Sequence, residues 1–279
     1  MTAKTRYAFA VSAVLHISVV LGCILLPISV QAAALSVPSS GMRTIGEAMI
    51  KAKAGDTVHV ANGVYHERIF VKSGVALVSR IVFGAKLDGM GRGTVVTLGK
   101  NSAISGFVIK NGTIGIFSNG AGNVIEKCRI IKNWQTGIIT VRHLPKIEDN
   151  IIAFNRASGI QGWDVRSTVA SINHNTIAYN ANHGIAMGGK SNVIIENNVV
   201  AYNERYGLKL SDDSEDSEIT KNNFYKNLVS WARTPEGNYQ FDPAFMSPRG
   251  RLDFKPDPSL CCKVKGSDNE DLGTRVSGY

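Results

Sequence analysis

Between about residue 100 and residue 230 the apolar runs are only three to five residues long, and Asn, Gly and Ser separate them. No run reaches helix length with a 3.6-residue period. Short Val/Ile-rich runs between turn residues read as strands. The segments 125–138, 147–160, 172–185 and 195–208 each begin with Ile and close on Gly-Ile or Gly-Leu. One position in them reads Cys128, Asn150, Asn175, Asn198 and then Asn222, at steps of 22, 25, 23 and 24 residues. Five residues later stands a second column, Asn133, Asn155, Asn180, Asn203 and Asn227. Between the two, Ile130, Ile152, Ile177, Val200 and Phe224 are wholly apolar, and Gly137, Gly159, Gly184 and Gly207 close the periods. Phe107 and Ile109, with Gly115-Ile116, add a slightly shorter period upstream.

A unit this short cannot bury its own apolar column and must stack on its neighbours. Stacking sets like residues above one another at ~4.8 Å, the spacing of paired strands. Asn suits such a file, because its amide donates to one neighbour and accepts from another, and it tolerates a left-handed turn. Asn150, Asn175, Asn198 and Asn222 therefore predict a structural ladder. The predicted fold is all-β, a parallel β-helix of roughly seven turns. A leucine-rich repeat has a similar period, but its Leu consensus is missing here.

Other patterns flank the repeat. Lys4 and Arg6 precede an almost wholly apolar stretch to Val30, broken at Pro27, and Val30-Gln31-Ala32 offers small residues. This predicts a secretory signal peptide over 1–32, cut near Ala32–Ala33. A lipoprotein box at Val20-Leu21-Gly22-Cys23 and an uncleaved anchor are the alternatives. Thr44 and Glu47 have the spacing of a capping box, and Ile45, Ala48, Met49 and Ala52 form one apolar face. A helix over about 44–54, stopped at Gly55, is expected to cover the open end of the strand stack. The β-helix is placed at 33–230 and an irregular capping tail at 231–279.

Composition adds charge. The 279 residues carry a formal +9, and the first 32 contain Lys4 and Arg6 but no acid, which leaves about +7. Acidic partners suit that balance. Nucleic acid is not expected, because the basic residues are scattered, no binding motif appears and the chain is exported. No membrane span is expected once the leader is removed, and the predicted location is periplasmic or extracellular. Four Cys are too few for a disulfide scaffold; Cys128, in the ladder, reads as a buried inert thiol. Cys261-Cys262 reads as a vicinal disulfide, as free thiols or as a pair with another chain.

The stretch Gly55-Asp56-Thr57-Val58-His59-Val60-Ala61-Asn62-Gly63-Val64-Tyr65-His66-Glu67 resembles the opening of right-handed parallel β-helix proteins of the pectin-lyase-like superfamily. Residues 197–203 resemble that superfamily's short repeats, and 241–245, 253–256 and 271–273 resemble the closing segment of bacterial members. The resemblance implies the fold strongly and the activity weakly, since the superfamily holds lyases, hydrolases, esterases and epimerases. Asn182-His183-Gly184 echoes the polygalacturonase Gly-His-Gly, but no Asp-Asp pair lies between it and Asp164. The esterase Gly-x-x-Asp-Phe is missing, and Arg142-His143-Leu144-Pro145-Lys146 does not reproduce the pectate-lyase Arg-x-Pro-x-x-Arg.

β-Elimination on a uronate asks for less: a cation on the carboxylate, a base and an acid. Alternation turns Ile138, Ile160, Ile185 and Leu208 inward, and Gln161, Trp163 and Lys209 outward. His183, Arg142, Lys209 and Tyr206 are the candidate catalytic residues. Trp163, Asp164, Arg166, Lys190 and Gln161 are the candidate substrate-binding residues. Ordinary solvated side chains on a β-helix face are the rival reading. No metal site is expected and no cofactor, with calcium left open. The aromatic column Phe154, Tyr179 and Tyr202 reads as a structural stack, with a sugar platform as the alternative. The expected function is action on, or binding of, acidic polysaccharide by an exported β-helix, with a uronate lyase or epimerase as the enzymatic form. One alternative is a non-catalytic glycan- or envelope-binding protein. The other, by fold analogy, is a copper-delivery β-helix, for which the Met and His content of the repeats is thin.

Overall fold

The computed structural model describes residues 32–212, 214, 217–229, 236–256 and 265–275, and the side chains of all of these except 166–169. The predicted leader and Cys261-Cys262 lie outside the described residues. The fold is a right-handed parallel β-helix, in agreement with the reading of the repeat.

Each turn crosses three faces. The first face carries Ile125, Ile147, Ile172, Ile195 and Ile219 in one register. The second carries Ile130, Ile152, Ile177, Val200 and Phe224, and the third Ile116, Ile138, Ile160, Ile185 and Leu208. These files point inward and nearly all are fully buried. The second face is a sheet of eight strands, so the helix has about eight turns rather than seven. Near the N-terminus Gly63–Tyr65 forms the edge strand of this sheet.

The Asn ladder exists and continues beyond Asn222. Asn150 Nδ2 donates to Asn175 Oδ1 at 3.0 Å, Asn175 to Asn198 at 3.0 Å, Asn198 to Asn222 at 2.8 Å, and Asn222 to Asn238 at 3.0 Å. The second amide hydrogen goes to a carbonyl of the preceding turn, as from Asn175 to Ile147 O at 2.8 Å. The second column forms a parallel ladder, Asn133 to Asn155, Asn180, Asn203 and Asn227. One detail differs from expectation. The left-handed residue is not the Asn but its predecessor: Lys127, Asp149, His174, Asn197 and Lys221 in the first column. Non-glycine residues resist this conformation, and here the buried amide bonds of the next residue offset the strain.

Cys128 interrupts the first ladder. Its thiol donates to the Ile104 carbonyl at 3.8 Å, and burial pushes it up to about 12, so it stays protonated. A Cys128→Asn substitution would place an amide donor beside that carbonyl and add a rung. The expected gain is about 1 kcal/mol, read as a rise in Tm; a fall in Tm would mean that the buried site does not admit the amide.

The helix Ile45–Lys51 begins on a complete Thr44/Glu47 capping box and buries Ile45, Ala48 and Met49. Glu67, from the first turn, accepts from the N–H groups of Ile45 and Gly46. The helix stops at Lys51, short of Gly55. Ala52 turns extended and the Lys53 N–H donates to Asp56 Oδ2 at 2.8 Å.

The second face differs from the others, because its strands Ile151–Ala153, Thr176–Ala178 and Val199–Ala201 are buried on both sides. Phe245, Phe254 and Leu272 from the tail pack on this outer surface. Arg275 at the far end of the tail grips Asp149 with two hydrogen bonds of 2.9 Å. The second face is therefore closed, while the outer surface of the third retains large exposed side chains.

Candidate functional site

On the third face the strands Ile138–His143, Ile160–Asn173, Ile185–Gly188 and Leu208–Leu210 pair in parallel. Their register aligns Ile139, Gln161, Ala186 and Lys209 in one outward file, and Val141, Trp163 and Gly188 in another. Trp163 is 49% exposed. A Cβ on Gly188 would stand 2.6 Å from its ring, so the missing side chain makes the seat for the indole. Sequence reasoning missed Gly188, although glycine inside a strand is a signal of close approach.

The residues expected to be catalytic divide into two groups. His183, Tyr206 and Lys209 come together where the strands begin. The His183 and Tyr206 ring centroids are 5.4 Å apart, and Lys209 Nζ is 5.9 Å from the Tyr206 ring. His183 is 9% exposed, and its Nδ1 accepts the Tyr206 backbone N–H at 3.3 Å. Burial lowers its pKa, and the positive charges of Lys209 and Arg205 lower it further. The imidazole is then neutral at neutral pH, and the bond to Nδ1 assigns the hydrogen to Nε2. Gln161 lies two rungs from Lys209 in the same outward file and accepts from Thr136 Oγ1 of the preceding turn at 3.4 Å.

Arg142 lies at the other end of the strands. Six positions at ~3.3 Å each separate its place from that of His183, roughly 20 Å along the face. Arg142 and Asp164 are both exposed and left-handed, at φ 64° and 50°. The register slips between them, since His143 pairs with Arg166. Asp164 leans over Gly189, where a Cβ would meet its Oδ1, and Lys190 is exposed just beyond. The Arg166 side chain lies outside the described residues. Trp163 and Asp164 thus form a second group with Arg142 at the strand ends.

The aromatic column is structural. Phe154 and Tyr179 stack at 5.3 Å and 10°, and Tyr179 and Tyr202 at 4.9 Å and 3°. Their inner faces cover one another, so a sugar has no ring face to stack on along the column.

A model of the NosD family, described as the periplasmic copper-binding protein (NosD), matches residues 50–243. The chain belongs to the NosD family. A periplasmic family agrees with the export read from the leader. Among the described residues no helix is long and apolar enough to cross a membrane. A search of curated proteins finds no match. Among solved structures the chain is similar to pectin methylesterase PemA from Erwinia chrysanthemi, at 13% identity and TM-score 0.42, over 83% of this chain and 98% of that one. It is similar to the pectin methylesterase from Aspergillus niger at 14% and 0.37, over 75% and 89%. It is similar to the PL6 family alginate lyase AlyGC at 13% and 0.28, over 88% and 57%. Likenesses this distant carry nothing about activity.

The His, Cys and carboxylate donors described in this NosD-family chain form no preformed metal site. Among the described residues no three His, Cys, Asp or Glu side chains are placed to hold one metal ion. His174 is buried and bound on both nitrogens, to Asp268 Oδ2 at 2.7 Å and Asp271 O at 3.1 Å. Met49 and Met187 are core residues, and the Cys128 thiol stays protonated. Copper is held by thiolate, thioether and unprotonated imidazole nitrogen, and these residues offer none of them together.

Proposed function

We propose that this periplasmic NosD-family chain binds acidic polysaccharide on the outer face of its third sheet without cleaving it. The observation that carries the reading is Trp163, seated on Gly188 and half exposed two rungs from Lys209. Two rungs are about 10 Å. An indole and an ammonium at that distance match a sugar ring and a carboxylate further along one chain. The tautomer of His183 supports binding over elimination. Its Nδ1 lone pair is engaged and its Nε2–H is a donor, so His183 serves a glycan oxygen better than it serves as a base. Arg142, at the far end of the strands, is also too distant to share one sugar with His183.

Calorimetry with a defined oligouronate tests this. Trp163→Ala and Lys209→Ala should each weaken binding about tenfold, which is ~1.4 kcal/mol, and a neutral oligosaccharide should bind poorly. Unchanged affinity in both variants would remove the proposed face. The appearance of unsaturated sugar product would restore the lyase reading.

Copper handling is a second reading, and the family match over residues 50–243 is what favours it. Competition for copper(I) against a chromophoric chelator separates the two. Stoichiometric uptake by the mature chain would establish copper binding, and failure to compete would remove it.

A further inference from the structure

The corner between the second and third faces carries another file. Lys132, Phe154, Tyr179, Tyr202 and Lys226 each precede an Asn of the second ladder, and all five are left-handed, with φ between 44° and 57°. The three rings stack along the helix axis, so their edges, not their faces, turn outward. The tail hairpin of Phe245–Ser247 and Asp253–Pro256 packs Phe245 and Phe254 against one side of the stack. A groove of about 1000 Å³ remains between the file and the hairpin. Lys132, Lys226 and Arg249 line it with the aromatic edges, and Leu228, 77% exposed, borders it.

We propose that this groove is a second binding site, for a carboxylate-bearing oligosaccharide. It goes beyond the third-face reading, because it lies on a different corner and shares no residue with it. Lys132 and Lys226 are four rungs apart, about 19 Å. The Arg249 guanidinium is 5.5 Å from the ring of Tyr179, which sits at the middle rung. Cations therefore recur at roughly 10 Å along the groove, two rungs at a time. The acidic groups nearby are Glu204, which lines it, and Asp242. Asp242 accepts the Tyr202 hydroxyl at 2.5 Å and faces Lys226, so that lysine is partly compensated. Among the described residues neither Lys132 nor Arg249 forms an ion pair. Aromatic edges carry the positive side of the ring quadrupole and add to the attraction for anions.

The backbone decides between a glycan and a peptide. A bound extended peptide takes most of its affinity from main-chain partners. Here the N–H groups of Lys132, Phe154, Tyr179 and Tyr202 already donate to Ala153, Ala178, Ala201 and Tyr225 of the next turn. Those donors are therefore not free for a peptide, and the spaced cations suit a stiff polyanion with regularly spaced carboxylates.

The test uses the mature chain carrying Trp163→Ala and Lys209→Ala, so that the third face is silenced. An oligouronate of about five residues, long enough for the four rungs, should still bind that background. Adding Lys132→Ala and Arg249→Ala should weaken the residual binding at least tenfold at unchanged Tm. A Leu228→Trp variant, which crowds the groove and leaves the charges, should weaken it as well. The proposal falls if the background shows no residual binding or if Lys132→Ala with Arg249→Ala leaves it unchanged. It also falls if a polyglutamate of the same length binds as tightly.

Discussion

Asn175→Ala should destabilise the fold by about 3–5 kcal/mol. Its side chain is fully buried and takes part in five hydrogen bonds, with Asn150 N–H and Nδ2, the carbonyls of Ile147 and Asn173, and Asn198 Oδ1. Truncation leaves the Asn150 N–H and the Ile147 carbonyl buried without these partners. An orphaned buried polar group costs about 1–3 kcal/mol, more than the net worth of the bond it lost. The loss also divides the ladder, because the rungs on either side of residue 175 no longer communicate through amides. Urea denaturation reads the effect as a lower midpoint, with Lys190→Ala as the exposed control expected within about 0.5 kcal/mol of the parent. A cost below about 1 kcal/mol for Asn175→Ala would make the ladder a bystander to apolar stacking.

Gly184→Ala should be nearly as damaging, at about 3 kcal/mol. Its Cβ would stand 2.5 Å from Val200 Cγ1, 2.6 Å from Gly207 O and 2.9 Å from Asn203 Nδ2. The first neighbour is a packed core side chain, the second is backbone and the third is held in the second ladder. None of the three can yield cheaply, so the rungs themselves must separate at this corner. The same argument applies to Gly137 and Gly159, whose added Cβ would meet Gly159 O and Gly184 O at 2.7 and 2.8 Å. Thermal unfolding of the three Ala variants checks it. Parent-like stability in all three would mean that the close stacking at this corner is not needed.

The repeat was legible because identical environments impose identical residues. A buried amide between two rungs is well satisfied by a second amide above it, and so the Asn columns announce the stacking before any coordinate is known. The closed second face was not read from the chain, although Ile-Ile-Ala and Val-Val-Ala do not alternate and a strand apolar at every position is covered on both sides. What covers it was not legible, since the tail has no period and its contacts with Asp149, His174 and Asn197 span some seventy residues or more. The aromatic column could be read as a file, but the direction of its rings depends on the left-handed turn before each Asn, which the residue types conceal. For the third face, alternation put Gln161, Trp163 and Lys209 outside together. It did not reveal that Arg142 falls at the opposite end of the strands from His183, because distance along a strand is lost when residues are compared rung by rung.

Hydrogen exchange on the protein, with and without an oligouronate, tests most directly whether the proposed faces of this β-helix bind acidic glycan. Slowed exchange should appear along 160–165, 185–188 and 208–210, with a separate footprint at 226–229 and 249–252, while the strands of the first face exchange as before. Protection confined to the first face, or no protection anywhere at saturating ligand, would contradict the assignment.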